Sequence, residues 1–327
     1  MSRLNLILPE LAAPLAALDT ATLPRLPAFE LWLARAACAP LGLHWHRWLA
    51  GAAAGSPAGF SSGGVAASAL GRTDARHYWL ATPVHYVAGI DTLRLHPAGV
   101  LRFSDAEQAS LAEDFARTFD GSGWELLATG HRDLLLAGPP QQPFDTLDPV
   151  SLLGQDPAAG WSRTQAAAPL RRLAAEVEMW LHGHALNHQR EAAGQLAATG
   201  LWFWGGGAQP AALRARAPGQ LWADDAFAQG LWQLLGADAQ ALPDDLMAAP
   251  FVAEDLTVLW PLPGDDAVGA LQRLERHWLA PALQQLQRGQ RATLCLVAGG
   301  CSWTLTRPKL RRFWRRSQPW WLALRAC

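Results

Sequence analysis

Cysteine is scarce in this sequence, and the few cysteines present form no recognisable pattern. Four cysteines occur among 327 residues, with no CxxC pair and no dense spacing. A disulfide framework or a zinc knuckle depends on such spacing, so we expect neither. Cys295 and Cys301 flank the end of a predicted strand, and we expect both to be small core residues.

Long apolar runs are also missing. Half of the residues are hydrophobic, but the mean hydropathy is only +0.01. No stretch of about 18 uncharged apolar residues occurs, which argues against a membrane-spanning helix. The short apolar run near the start is interrupted by Pro9 and Glu10 and has no clean cleavage site. We therefore interpret residues 4–9 as a buried first strand and predict a cytoplasmic protein.

Acidic residues are absent from residues 307–316, RPKLRRFWRR, which carry six positive charges in a chain of net charge −1. Clustered arginines with interleaved aromatic rings could bind nucleic acid or an acidic membrane surface. The rest of the chain is acidic, so we favour docking of the segment on the body of the protein and consider nucleic acid a less favoured partner. We expect truncation after Thr306 to leave a folded protein, unless the aromatic residues of the segment pack on the core: Phe313, Trp314, Trp320 and Trp321.

What the sequence does contain is a strand–helix alternation long enough for two domains. Apolar strands are predicted at residues 4–9, 77–87 and 292–299, and a helix at 104–119 begins at a good N-cap, Ser104. Alternation at both ends, with a mixed segment between them, predicts an α/β core interrupted by an inserted domain. Seventeen tryptophans make the chain tryptophan-rich, and most of them should line cores or clefts.

Three segments in the middle of the chain carry side chains suited to binding an anion. They are HRDLLL (131–136), LHGHALNHQR (181–190), at the end of a predicted helix over 169–186, and LWFWGGGAQP (201–210). Their arginines have forked guanidinium groups that bind phosphate or carboxylate in pairs of hydrogen bonds. The three glycines after the LWFW strand could form a backbone anion nest, with the two tryptophans on opposite faces.

These segments resemble, in order and spacing, the patterns yRhLl, L..HpvN..R and iW.WG.G..P of archaeal-type cofactor-independent phosphoglycerate mutases. The whole-chain layout resembles the RpfE-type regulatory proteins, a bacterial branch similar to those mutases. The resemblance implies a reduced alkaline-phosphatase-like α/β core over residues 1–95 and 215–327, with an inserted α+β lid domain over 96–214. It also implies that eight residues bind the ligand: Arg132, His184, Asn187, Arg190, Trp204, Gly205, Gly206 and Gly207.

The residues that would hold the two metal ions of those mutases are not matched. The first strand ends at residues 9–10, Pro-Glu, where the family has Asp-Gly, and the last core strand ends at residues 298–300, Ala-Gly-Gly, where the family has Asp and His. Residues 265–266 supply two aspartates without a histidine. Ser61 and Ser62 lie near the position of the nucleophile but would lack metal activation. We expect no metal site, no cofactor and no mutase activity.

Two histidine pairs offer alternative metal sites. His184 and His188 have the i, i+4 spacing that can hold zinc on a helix, and His44 and His46 would share one face of a strand. Neither pair has an obvious further ligand nearby, so we do not favour them.

The function predicted from these features is that of a pseudoenzyme. A non-catalytic regulatory or binding protein would use the old substrate cleft for an anionic metabolite, phosphorylated or carboxylated, or for a partner protein. The alternative is an active phosphomutase- or phosphatase-type enzyme that acts on a phosphorylated small molecule.

Overall fold

The computed structural model describes residues 2–9, 11, 19–41, 44–55, 60–89, 92–142, 144, 146–211, 216–247, 254–261 and 266–325. The strands are β1 (Arg3–Leu8), β2 (Ala37–Pro40), β3 (His77–Ala88), β4 (Leu93–Val100), β5 (Glu125–Leu127), β6 (Leu134–Gly138), β7 (Gly200–Ala208), β8 (Gly219–Trp222), β9 (Asp255–Leu259), β10 (Thr293–Ala298) and β11 (Cys301–Thr306). The α-helices are α1 (Pro27–Arg35), α2 (Trp45–Ala54), α3 (Ser62–Ala69), α4 (Asp105–Thr118), α5 (Ala168–His182), α6 (Ala185–Ala192), α7 (Ala226–Leu234), α8 (Ala267–Leu274), α9 (Ala280–Gln287) and α10 (Trp320–Arg325).

The predicted α/β class is confirmed, and the chain divides into two compact units. The first unit is Met1–Pro57, Ala215–Asp224 and Gly236–Cys327, and the second is Ala58–Arg214 and Asp225–Leu235. These boundaries differ from those predicted between the core and lid domains, which lie at residues 95 and 214. Residues 58–95 fall in the second unit because β3 pairs with β6 and β7. The assignment of the two units as core and lid stays a prediction.

The first unit is built on a six-stranded sheet with the order β2-β11-β10-β1-β9-β8. Strands β10, β1, β9 and β8 are parallel, whereas β11 and β2 are antiparallel additions at one edge. The sequence of β1 is almost continuously apolar and buried, as a parallel strand covered on both faces requires. Its Leu6 lies between Leu296 and Val258 of the neighbouring strands.

Apolar residues recur at helical spacing over residues 26–41, but the helix formed there is shorter than this pattern. Helix α1 ends at Arg35, and residues 37–40 form the edge strand β2 instead. Pairing of β2 with β11 supplies hydrogen bonds that override the helical pattern of the sequence, which is alanine-rich there.

The cysteines of the first unit also differ from expectation. Cys38 of β2 and Cys301 of β11 are disulfide-bonded, whereas Cys295 is a buried free thiol. The prediction of a small core residue is therefore correct for Cys295. Cys301 is buried as well, but it serves as a cross-link and not as an ordinary core side chain.

The second unit is built on a sheet with the order β4-β3-β6-β5, to which β7 adds by pairing with β3. Strand β3, predicted from its aromatic and β-branched residues, is twelve residues long and pairs with β4, β6 and β7. Helix α4 begins as predicted at Ser104, whose side chain forms a reciprocal capping box with Glu107. Within the described residues, no helix has both the length and the apolar character needed to cross a membrane.

The C-terminal segment is part of the first unit and is not separable from it. Trp320 is completely buried, packs against Phe29 with ring centroids 5.8 Å apart, and donates a hydrogen bond from Nε1 to the Pro24 carbonyl at 3.0 Å. The exception to the expected tolerance of truncation therefore applies to Trp320, whereas Phe313 and Trp314 are exposed. Truncation after Thr306 would remove a core side chain.

We expect Trp320→Ala to lower the free energy of unfolding by about 3–5 kcal/mol, because it leaves a large cavity in the core. Urea denaturation of the full chain measures the change. Trp314→Ala is the matched control: that side chain is 67% exposed, so its loss should change stability by no more than about 0.5 kcal/mol. Equal effects of the two substitutions would contradict the docking of the segment through Trp320.

Candidate functional site

The eight residues predicted to bind a ligand all lie in the second unit, where they form two separate groups. The first group lies in α6 and at its start, and the second lies just before β6 and in β7. In both groups the polar side chains bond to the protein itself.

The predicted helix over residues 169–186 is broken into two. Helix α5 ends at His182, and His184 is the N-cap of α6, with extended backbone angles. Its Nδ1 accepts a hydrogen bond from the Leu186 amide at 3.1 Å, and its Nε2 lies 3.2 Å from Oδ2 of Asp114. His184 thus precedes the helix that carries His188, and the spacing proposed for a zinc pair does not apply.

The side chain of Asn187 forms hydrogen bonds with residues before and after α6. Its side-chain amide donates to the carbonyls of Leu181 and Ala198, both at 2.8 Å, and its Oδ1 accepts from the Ala198 amide at 2.8 Å. Both of its N–H donors are used in these bonds. This geometry supports a structural role for Asn187.

Arg190 connects the end of α6 to the beginning of α4. Its Nε donates to the Leu196 carbonyl at 2.9 Å, its Nη1 donates to Oε1 of Glu107 at 2.6 Å, and its guanidinium lies 5.0 Å from the ring centre of Phe103. Burial alone would raise the pKa of Glu107, but hydrogen bonds from Ser104 and Arg190 outweigh burial and lower that pKa. The Arg190 side chain, which is 7% exposed, is engaged with its own protein.

The second group is a buried chain of hydrogen bonds around Arg132. Trp204 Nε1 donates to Thr82 Oγ1 at 2.8 Å, and Thr82 donates to Oδ1 of Asp133 at 2.6 Å. The same carboxylate accepts from Arg132, with Nη2 2.6 Å from Oδ2. Asp225, the N-cap of α7, is close enough to interact with the charges of Arg132 and Asp133, and partial burial raises its pKa.

The three glycines predicted to form a loop are part of β7, which pairs with β3 as far as Ala208. A Cβ atom at Gly206 would lie 1.9 Å from Nε1 of Trp79, and one at Gly205 would lie 2.6 Å from Cβ of Ser62. The glycines therefore allow close packing of β7 against neighbouring side chains.

The side chains that precede these glycines also differ from the prediction. Trp202 and Trp204 pack in one hydrophobic cluster, whereas Phe203 packs in a different hydrophobic cluster. They share one face of the strand and do not flank it, because residues two apart in a strand point the same way.

Ser61 and Ser62, which the resemblance compares with the nucleophile of the mutases, stand at the beginning of α3. Ser61 is its N-cap: its Oγ accepts from the Gly64 amide at 3.1 Å and donates to the Ala208 carbonyl at 3.0 Å. The hydroxyl thus satisfies a free amide of the helix and ties α3 to β7.

In the first unit, the strand ends expected to carry metal ligands have other residues. Strand β1 leads to Pro9, and β10 leads into a turn of Gly299 and Gly300, both with positive φ, that opens the hairpin to β11. Asp266 caps α8 by accepting from the Gly269 amide at 2.9 Å. Glu10 and Asp265 lie outside the described residues. Nowhere in the described part of the chain do three His, Cys, Asp or Glu residues form a group that could hold a metal.

The other histidine pair also has a different setting from the one predicted. His44 is the N-cap of α2, and its Nδ1 accepts from the His46 amide at 3.3 Å. His46 lies in the first turn of that helix, so the two rings are not on one face of a strand.

A groove of about 310 Å³ in the second unit was not predicted from the sequence. One wall is the face of α5 that carries residues at i, i+3, i+4 and i+7, and the other is the segment from Trp161 to Arg163. The lining residues are Ala158, Trp161, Ser162, Arg163, Arg171, Ala174, Ala175 and Glu178. The available signal was one arginine on α5, Arg171, and a second in the segment before that helix, Arg163.

The groove has a charged group at each end of its α5 wall. Arg171 donates from Nη1 to the carbonyls of Ser162 and Thr164, and Arg163 is exposed with no partner among the described residues. Two turns along α5, burial raises the pKa of Glu178. Burial, followed by the charge of Glu178, raises the pKa of Tyr86.

Comparison with solved structures finds distant similarity along most of the chain. The cofactor-independent phosphoglycerate mutase from Thermoplasma acidophilum DSM 1728 is 17% identical, with 93% of this chain and 89% of that chain covered and a TM-score of 0.38. The PH0037 protein from Pyrococcus horikoshii is 12% identical, with 90% and 81% covered and a TM-score of 0.45. No protein-family model matches the sequence, and no curated protein does.

We expect Arg190→Ala to lower the free energy of unfolding by about 2 kcal/mol at neutral pH, because it leaves the Glu107 carboxylate, 22% exposed, without its cation. The pKa of Glu107 is lowered in the folded state, so the pair stabilises the protein above the ordinary carboxyl pKa and loses this effect as the pH falls through the folded pKa. Urea denaturation at neutral and acid pH should show the difference from wild type shrinking in acid.

Arg117→Ala provides the control for this prediction. Arg117 lies on α4, is 64% exposed and pairs with Glu113 at 2.8 Å, so its loss should change stability by about 0.5 kcal/mol or less. If the two arginine variants were equally stable, the structural role of Arg190 would be refuted.

Proposed function

We propose that the protein is a non-catalytic binding protein, built on a phosphoglycerate-mutase-like scaffold, that recognises an anionic metabolite. The observation that carries the proposal is the pair of arginines, Arg163 and Arg171, on the groove beside α5. The two arginines of the mutase-like motifs, Arg132 and Arg190, are instead held by Asp133 and Glu107.

The eight residues assigned by resemblance act, in this proposal, mainly as a scaffold. Their polar groups hold α6 against α4 and the neighbouring strands, and their glycines let β7 pack closely. A ligand would have to displace buried hydrogen bonds to reach Arg190 or Asn187, which would leave a buried carboxylate or carbonyl unpaired. Binding at these residues therefore remains a prediction that competes with binding in the groove.

The geometry of the groove indicates the chemistry of its ligand. Arg163 and the remaining N–H groups of Arg171 offer paired donors for a phosphate or carboxylate. Glu178 lies about 10 Å further along α5, as seven residues of helix require, and can bind a hydroxyl or amino group. Trp161, which is partly exposed, provides an apolar wall between them. We infer an elongated ligand with an anionic end, an apolar or planar middle and a hydrogen-bonding group at the far end.

The non-catalytic part of the proposal is supported by the residues that occupy the expected catalytic positions. Proline and glycines follow the strands that would carry Asp and His, and the Ser61 hydroxyl is used to cap α3. A reduced alkaline-phosphatase-like core, a lid and a regulatory role of the RpfE type are the finer parts of this proposal. They agree with the sequence motifs.

Thermal denaturation with added anions tests the binding function. We expect phenyl phosphate, which carries an anion and a ring, to raise the melting temperature more than inorganic phosphate. A ligand at a hundredfold excess over its dissociation constant stabilises the folded state by about 2.7 kcal/mol, which is easily measured. Arg163→Ala should weaken binding by roughly tenfold or more, since a charge-assisted hydrogen bond contributes about 1.5–3 kcal/mol.

Arg172→Ala is the matched control, because Arg172 is an exposed neighbour on α5 that does not line the groove. It should leave the shift unchanged. A shift that survives Arg163→Ala but disappears in Arg132→Ala or Arg190→Ala would place the ligand at the motif residues and contradict the groove.

A phosphatase and mutase assay separates binding from catalysis. We expect no turnover of 3-phosphoglycerate or of phenyl phosphate with added Mn²⁺, Zn²⁺ or Mg²⁺, because the strand ends lack the carboxylates and imidazoles that two-metal chemistry uses. Metal-dependent turnover that is lost in Ser62→Ala would show that the alternative, an active enzyme, is correct.

A further inference from the structure

The C-terminal part of the chain is strongly positive, and its aromatic residues are exposed. No acidic residue follows Glu275, and six cations lie within residues 307–316. In the same segment Phe313 is 79% exposed and Trp314 is 67% exposed. Among the described residues, no other phenylalanine or tryptophan is exposed to this degree. An exposed aromatic pair of this kind indicates a binding surface.

The segment is held in place at both sides of this aromatic pair. On one side Arg35 Nη1 donates to the Leu310 carbonyl, and Lys309 Nζ donates to the Thr304 carbonyl at 3.1 Å. On the other side Arg315 Nη1 donates to the Ala36 carbonyl at 3.3 Å, and Trp320 is buried in the core. Residues 311–316 therefore form a tip that is fixed by the first unit and preorganised for binding.

The positive charges of the tip are available to an external anion. The predicted docking of this segment on the body does occur, but through carbonyl groups and Trp320. In the part of the chain that the structure describes, no carboxylate forms an ion pair with any of the six cations of residues 307–316. Their charge is thus not neutralised within the protein.

We propose that the tip, residues 311–316, binds the surface of an anionic phospholipid bilayer. Trp314 and Phe313 would insert at the level of the head groups, where aromatic side chains are favoured, and the arginines would bind lipid phosphates. A patch of cations near an anionic leaflet adds attraction for each charge, and stable attachment to a bilayer takes such a patch together with an apolar insertion. The tip combines both.

The arrangement of the two rings favours a bilayer over single-stranded nucleic acid. Proteins that bind single strands stack successive bases on open aromatic faces within a groove. Here the rings of Phe313 and Trp314 pack edge to face, with centroids 5.4 Å apart and planes at 80°, so they cannot receive consecutive bases in parallel. They stand in a turn with both side chains exposed, a shape that suits insertion into a fluid surface.

Flotation of the full-length protein with lipid vesicles tests this proposal. We expect binding to vesicles of phosphatidylcholine mixed with phosphatidylglycerol, weak binding to phosphatidylcholine alone, and loss of binding as salt rises. The double variant Phe313→Ala, Trp314→Ala should weaken partitioning by on the order of tenfold, because it removes the inserted groups. Arg311→Gln with Arg316→Gln should weaken it by roughly 30-fold, at about fivefold for each charge.

Matched controls use residues that lie outside the tip. Met179→Ala removes an exposed apolar side chain, and Arg276→Gln with Arg288→Gln removes two exposed charges; both should leave vesicle binding unchanged. Melting temperatures confirm that each variant is folded. Undiminished vesicle binding by the Phe313, Trp314 variant would overturn the proposal. So would tighter binding to a thymidine oligonucleotide than to anionic vesicles at the same salt concentration.

Discussion

A buried arginine needs a counter-ion and hydrogen-bond acceptors for its guanidinium. The partners that Arg190 uses for this purpose organise much of the second unit. One side chain joins the end of α6, the loop at Leu196 and the capping box that begins α4. Ser104, Glu107 and Arg190 form one network, so the start of one helix and the end of another are fixed together. Removing any one of the three leaves a polar group that the others cannot satisfy.

The same constraint explains why the motif of LHGHALNHQR has two possible meanings. An arginine and an asparagine three residues apart suit an anion, but they suit a carboxylate and a loop of their own chain equally well. Which meaning applies depends on Glu107, which is 83 residues away in sequence from Arg190. No local pattern contains that information, because a guanidinium has the same chemistry towards a ligand as towards its own protein.

Much of the fold could be predicted where local signals agree with tertiary packing. Strands β1, β3 and β10 follow from apolar and β-branched runs, and α4 follows from its capping box. Prediction failed where a short segment could serve two structures. Gly183 and His184 end one helix and begin another, and residues 37–40 become an edge strand because β11 is beside them. The groove beside α5 was missed because it depends on which helix face is left uncovered.

The packing of β7 against its neighbours bears on how sequences of this kind are classified. At Gly206 and Gly205 the space for a Cβ atom is already filled by Trp79 and Ser62. Glycine would be required at these positions whether or not an anion ever bound there, since any other residue collides with the surrounding side chains. A tryptophan–glycine pattern of this form therefore indicates close packing. A name that is transferred on the strength of that signature conveys architecture, and chemistry has to be established from other residues.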